Sequence, residues 1–373
     1  MLATSRVKFD VAKNAWMIYG YDECRTLFSS ACVAIPPVFV PQGATLNSAA
    51  STIANRLARI SNDHSHQAAR EAALSLYQRL TAADIRSIVH RQLSTIIVHE
   101  QLLPAKVTLP FDWVNLIAKR SCTAVILNAF GFEANDTDWI LANMPVLVKL
   151  LSPVKTADDI EALNRISIDL AQMVRKWLLN SGLSEGAQEI ISPDARNENA
   201  DLLVANLVGL LIQSYDAGRG LLTNLLFALS GPQIPQAGHA GEIISFVEEV
   251  LRIDGPVHNT TRIAVCDIEV TNHTIRNGDR IVLTLAAANL DPLVFDDPIS
   301  FNAHRANNKH QLSFGYGAHE CIARPLMIKI ATEVCDWLLD RYRLIEIVQP
   351  TLEFEPQQNV RLIRNLLVRF HKY

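Results

Sequence analysis

Apolar residues recur at steps of three and four along most of the chain, a period that predicts a mainly helical protein. The segments that carry it are 22–29, 66–82, 83–100, 112–130, 136–151, 158–181, 200–230, 241–254 and 322–341. Two regions alternate instead. Arg262 to Val270 with Thr274 to Arg280 predicts a β-hairpin, with turn chemistry at Asn272 and at Asn277-Gly278. The tail from Leu344 through Phe354 to Leu367 also reads as strands. Between the first helices, Ala34 to Arg59 reads as a loop that opens on the apolar run Ile35-Pro36-Pro37-Val38-Phe39-Val40, stiffened by its prolines. No repeat, low-complexity linker or composition break divides the chain. The expectation is one domain over residues 1–373, mainly α with small β-sheets.

Composition narrows the function classes. A chain of 373 residues that is 49% hydrophobic, with mean hydropathy +0.13, has the makings of a large buried core. A net charge of −4 lacks the basic excess of a nucleic-acid binder. The longest apolar run, 202–212, contains Asn206 and is too short to cross a bilayer. Residues 1–13 lack the apolar stretch of a signal peptide. Six cysteines (Cys24, Cys32, Cys122, Cys266, Cys321 and Cys335) show no framework spacing, which predicts free thiols in a reducing cytoplasm.

One of those cysteines stands apart. Phe314-Gly315-Tyr316-Gly317-Ala318-His319-Glu320-Cys321 places it at the end of a glycine-punctuated loop, directly before an apolar helical run in which Pro325 fits only a first turn. A helix N-terminus and nearby backbone N–H groups favour a thiolate, which is how a chain presents a single axial sulfur to a haem iron. Two plainer readings stand beside this one. A lone cysteine is usually a buried structural residue. His-x-Cys also occurs at zinc sites, although zinc needs two more ligands at short spacing and none lies nearby.

The segment resembles the haem-binding loop of the cytochrome P450 family: Phe-Gly-x-Gly-x-His-x-Cys and then a small residue, here Ala323, where glycine is commoner. The resemblance implies a triangular helical domain enclosing haem b, with Cys321 as metal ligand and Phe314, Gly315 and Ala323 against the cofactor. It extends over nearly the whole chain, beginning with Trp16 to Cys24, which resembles the family's first strand and helix. Glu249 and Arg252 form a Glu-x-x-Arg that resembles the family's buried structural motif, with Arg305 as its third partner. Taken alone, the same spacing describes a solvated surface pair. His66, Arg70, Arg262 and His319 resemble the family's contacts to the two haem propionates, and each by itself reads equally well as a surface group.

The pattern breaks on the longest helix, where the family carries Ala-Gly-x-(Asp/Glu)-Thr for proton delivery during oxygen activation. Here Gln213 and Ser214 stand in place of Ala-Gly, Asp216 keeps the acid, and Ala217 replaces the threonine. Sliding the register by four puts Leu221 at the alcohol position, so the threonine is missing either way. Gln213, Ser214 and Asp216 are the candidate catalytic residues. Ala217, Val257, Asn259 and Thr260 are the candidate substrate contacts. Arg219 reads as a helix-surface arginine or as the anchor of a substrate carboxylate, and Gly218 and Gly220 as a local weakness in the helix.

The resemblance implies a monomeric, cytoplasmic monooxygenase that hydroxylates, epoxidises or couples a small lipophilic molecule in specialised-metabolite biosynthesis. It would use O2, with a ferredoxin and a ferredoxin reductase as electron donors, and neither nucleic acid nor membrane as partner. The missing threonine leaves two alternatives: a peroxide-dependent haem enzyme and a haem-binding protein that does not oxygenate.

Overall fold

The computed structural model describes residues 5–99, 107–181 and 198–373. Its strands are β1 (Val7–Asp10), β2 (Ala15–Ile18), β3 (Val33–Ala34), β4 (Phe111–Asp112), β5 (Thr260–Ala264), β6 (Ile268–Val270), β7 (His273–Ile275), β8 (Arg280–Leu283), β9 (Tyr342–Ile347) and β10 (Leu367–Lys372). Its α-helices are α1 (Tyr21–Phe28), α2 (Ser48–Arg56), α3 (Asp63–Thr81), α4 (Ile85–His99), α5 (Lys119–Phe130), α6 (Ala134–Leu147), α7 (Ala157–Ser181), α8 (Glu198–Leu229), α9 (Ala240–Asp254), α10 (Leu285–Ala288) and α11 (Arg324–Arg341). The chain divides into two units, one of residues 1–36, 85–122 and 217–373 and the other of residues 37–84 and 123–216.

Among the described residues, the first unit holds every sheet. Five strands lie in the order β1-β2-β8-β5-β3. Asn14, at φ 45°, turns β1 into β2, a left-handed conformation that asparagine tolerates. The predicted hairpin is two nested ones. β5 pairs antiparallel with β8, and the smaller ribbon β6–β7 between them in sequence turns at Thr271-Asn272. Ile18, Leu27, Ile275, Ile281, Leu283 and Phe295, all at 0% exposure, centre the core of this region. In the tail, β10 lies between β4 and β9. The helix predicted from residue 112 starts later. Asp112 ends β4, and its Oδ1 accepts from the N–H groups of Val114, Asn115 and Leu366, after which a π-helical turn at Val114–Ala118 leads into α5.

One sequence expectation is overturned here. Cys32 and Cys266 are not free thiols but form a disulfide. They are 234 residues apart, so no local spacing announces them. They meet because β3 pairs with β5, which brings the residue before one strand beside the residues after the other.

The second unit is helical, built from α2, α3, α6, α7, most of α5 and the first part of α8. The stretch expected to be an apolar loop contains α2. Asn47 caps it by accepting from the Ala50 N–H at 2.8 Å. Asn206 holds its other end, accepting from Ala58 N–H and donating to the Arg56 carbonyl. The segment is rich in small and hydroxyl residues, so no apolar stripe announced it. Trp177 stacks on Phe132 and meets Phe130 edge-on, with ring centroids 5.4 and 5.0 Å away. Among the described residues, no helix is long and apolar enough to cross a membrane.

Candidate functional site

Gly315 and Gly317 sit at φ 74° and 75°, a region that side-chain-bearing residues avoid. A Cβ on Gly317 would also lie 3.1 Å from the Phe28 carbonyl oxygen. The loop is closed by Gly315 N–H donating to the Leu312 carbonyl (2.8 Å) and Cys321 N–H donating to the Phe314 carbonyl (3.0 Å). Arg25 donates to the Tyr316 hydroxyl at 2.6 Å, and Arg324 sits over the Phe314 ring while pairing with Glu320 and Glu248. The Cys321 side chain is left exposed just ahead of α11, whose N-cap is the buried Ala323 and whose first turn contains Pro325. The buried cysteines differ. Desolvation pushes the Cys122 thiol up to about 12, and burial likewise raises Cys24 and Cys335.

Arg262 lies on β5, 7% exposed, and donates to Thr260 Oγ1 and the Thr261 carbonyl, both at 2.9 Å. Its guanidinium is 5.3 Å from the centre of the Phe28 ring. Phe28 therefore joins the cysteine loop to the arginine, with its carbonyl against Gly317 and its ring against Arg262. Sequence reasoning missed this residue, since an apolar side chain at the end of a helix carries no signal beyond core. His319 is half-buried in the short turn Gly317–His319 of the same loop.

Helix α9 carries a buried charge network. Glu249 and Arg252 are 0% and 1% exposed and form a two-pronged pair at 2.7 and 2.8 Å. Arg305 adds a contact to Glu249 Oε1 at 3.3 Å, and the Asn302 N–H a fourth bond at 2.9 Å. The remaining guanidinium donors reach backbone carbonyls: Asn289 and Pro298 from Arg252, Asp296 and Asp297 from Arg305, and Ser300 from both. This is not a solvated pair but a clamp that holds the segment from Asn289 to Arg305 to α9.

Helix α8 is uninterrupted, so Gly218 and Gly220 do not break it. They mark close approach: a Cβ on Gly218 would lie 2.6 Å from Cys122, and one on Gly220 2.4 Å from Pro256. From Leu203 to Leu226 every residue is buried except Gln213, Asp216 and Ala217. Those three share one face at the i, i+3, i+4 spacing. Ser214 is turned away from that face. Its hydroxyl donates to the Leu211 carbonyl and lies 3.0 Å from Thr123 Oγ1. Gln213 donates to the Gly209 carbonyl. Arg219 is no surface residue. It is 4% exposed and pairs with Glu355 at 3.6 Å, a partner too distant in sequence to be foreseen.

The other predicted residues are placed as follows. His66 and Arg70 lie half-buried on α3 in the second unit. His66 Nδ1 is 2.9 Å from the Ala58 carbonyl, an acceptor only, so Nδ1 carries the proton. Val257 packs on the sheet core and bridges to Val360, and Asn259 donates to the Gln358 carbonyl. Thr260 is engaged by Arg262.

Residues 244–370, which hold the clamp, Arg262 and the cysteine loop, match the family model described as Cytochrome P450. That segment carries the signature of the cytochrome P450 family. The "Biotin biosynthesis cytochrome P450" of Bacillus subtilis (strain 168) is 24% identical over 363 residues, covering 95% of this chain and 90% of that protein. The "20-oxo-5-O-mycaminosyltylactone 23-monooxygenase" of Streptomyces fradiae is 37% identical over 133 residues, 34% of this chain and 31% of that one. In fold, the chain is similar to the crystal structure of P450BioI in complex with hexadec-9Z-enoic acid ligated acyl carrier protein (TM-score 0.77, 22% identity, 95% and 92% of the two chains covered). The architecture is the P450 fold, and the cofactor of this oxidoreductase family is haem, iron protoporphyrin IX.

Proposed function

We propose that this P450 is a haem-thiolate monooxygenase acting on a small lipophilic molecule in a biosynthetic pathway, with Cys321 as the iron's sulfur ligand. The observation that carries the reading is the exposed Cys321 side chain, set by two left-handed glycines ahead of the α11 N-terminus while the thiols of Cys24, Cys122 and Cys335 are buried. The positive end of a helix and nearby N–H donors favour the thiolate form. These donors suit a haem: one sulfur, the small buried Ala323 beside it, and a fixed cation at Arg262. Haem, when bound, supplies the oxygen-activating and substrate-oxidising chemistry.

The residues of the chain do the rest. Arg262 and His319 would hold the haem propionates, and Phe314 and Gly315 would line the cofactor; the resemblance assigns His66 and Arg70 the same chemistry. Gln213, Asp216 and Ala217 present the open face of α8 to the substrate, with Asp216 as the acid that relays protons through water. Ser214 drops out of that role because its hydroxyl is committed to Leu211 and Thr123. Val257, Asn259 and Thr260 shape the wall near Arg262. A ferredoxin and its reductase supply electrons to a monomeric, cytoplasmic protein.

A second reading is favoured by one observation: with alanine at 217 and Ser214 engaged, no hydroxyl side chain stands on the open face. A peroxide-driven enzyme needs no such alcohol. Cys321→Ser is expected to abolish the red-shifted ferrous–CO band of the reconstituted protein, and persistence of that band would refute the ligand assignment. Turnover of a compound that shifts the Soret band, compared between ferredoxin, reductase and NADPH on one side and hydrogen peroxide on the other, separates the two readings. Absence of turnover with both, despite a normal CO band, leaves a haem-binding protein.

A further inference from the structure

In the first unit α4 meets α11, and there three metal-ligating side chains converge: His90, Glu333 and Asp336, with ligand atoms within 4.8 Å of one another. Glu333 and Asp336 are three residues apart on α11 and share a face. His90 looks at them from α4. Glu333 is 3% exposed and Asp336 7%.

The cluster is more than a patch of acids. Glu333 Oε2 and His90 Nε2 are both buried and make no hydrogen bond, yet they lie 3.5 Å apart. A buried polar atom without a hydrogen bond is costly, and here two of them face each other. The other contacts engage the remaining carboxylate oxygens. Lys329 binds Glu333 Oε1 at 2.6 Å, Gly238 N–H donates to Asp336 Oδ1 at 2.7 Å, and Arg86 reaches Asp336 Oδ2 at 3.1 Å but stays 3.8 Å from Glu333 Oε2. The Arg86 side chain is 60% exposed and attached to the cluster by its tip, so it can swing into solvent.

We propose that His90, Glu333 and Asp336 bind a divalent first-row transition ion of the zinc type. One imidazole nitrogen and two carboxylate oxygens, with water completing the shell, match that ion. The absence of thiolate from this trio disfavours copper(I), and the imidazole disfavours calcium and magnesium, which prefer oxygen throughout. Arg86 supplies positive charge to the carboxylates when the ion is away. The ion would tie α4 to α11, the helix that follows the cysteine loop.

The test uses the full chain, dialysed against zinc chloride and analysed for bound metal and melting temperature, with far-UV circular dichroism to confirm that each variant folds. One zinc per chain is expected at this site, together with a rise in melting temperature that magnesium does not reproduce. His90→Ala and Asp336→Asn should each weaken binding about 100-fold or more. Arg86→Ala should tighten it, because a competing cation is removed. Asp336→Asn preserves side-chain shape and carries the test if His90→Ala does not fold. Zinc uptake unchanged in a folded ligand variant, or no tightening in Arg86→Ala, would overturn the proposal. None of these readouts depends on haem or turnover.

Discussion

Glu249 serves two guanidinium groups and a backbone N–H from a position with no solvent access. A buried pair of this kind is held by geometry, since desolvation of both ions offsets most of their attraction. Removing one partner is different, because the remaining charge is stranded. Glu249→Gln keeps the shape and removes the charge, leaving Arg252 and Arg305 uncompensated. Urea unfolding should show a loss of about 3–5 kcal/mol, and a loss under about 1 kcal/mol would mean the clamp contributes no more than a surface pair. The three-residue spacing of Glu249 and Arg252 was visible in the sequence. Their complete burial was not, because it depends on the chain from Asn289 to Arg305 folding back over α9.

At the scale of elements, glycine has opposite meanings in two helices. In α8, Gly218 lies where Cys122 of α5 and Met327 of α11 press against the backbone, and an added Cβ would be 2.6 Å from the Cys122 Cβ and Sγ. The Cys122 Cβ is fixed to the α5 backbone and cannot turn aside, so a methyl group there must push the helices apart. Gly218→Ala should lose about 1–3 kcal/mol by overpacking. In α9, Gly241 has nothing within 4 Å of a built Cβ. Gly241→Ala should leave stability unchanged or raise it by about 0.4–1 kcal/mol through the unfolded chain. Thermal unfolding of the two variants side by side checks this, and equal effects would show that helix propensity, not packing, governs both. The sequence suggested that Gly218 and Gly220 weaken α8; the neighbours show why glycine is there.

For the whole molecule, the Cys32–Cys266 bond is the longest-range covalent constraint, closing 234 residues of chain. Cross-links stabilise mainly by restricting the unfolded ensemble, typically by about 2–4 kcal/mol. Cys266→Ser, or reduction with dithiothreitol, should lower stability by that amount. Mass spectrometry after thiol alkylation reads the bond directly, and two additional labelled cysteines in the untreated protein would show it absent. Disulfides are rare in reducing compartments, so the same measurement on protein taken from the cell bears on the proposed cytoplasmic location.

Helical class, the position of α8 and α11, the turn at Asn272 and the cysteine loop were legible in the residues, because each rests on local periodicity or on turn chemistry carried by neighbours in sequence. The identity of a sulfur ligand candidate among six cysteines followed from the same local cue. What the chain order could not reveal is which side chains distant in sequence share a buried space. The Cys32–Cys266 bond, the Arg219–Glu355 pair, Phe28 between the loop and Arg262, and the His90–Glu333–Asp336 cluster all arise from strand pairing and helix packing. Burial and partnership are properties of the folded arrangement, and only tertiary structure decides them.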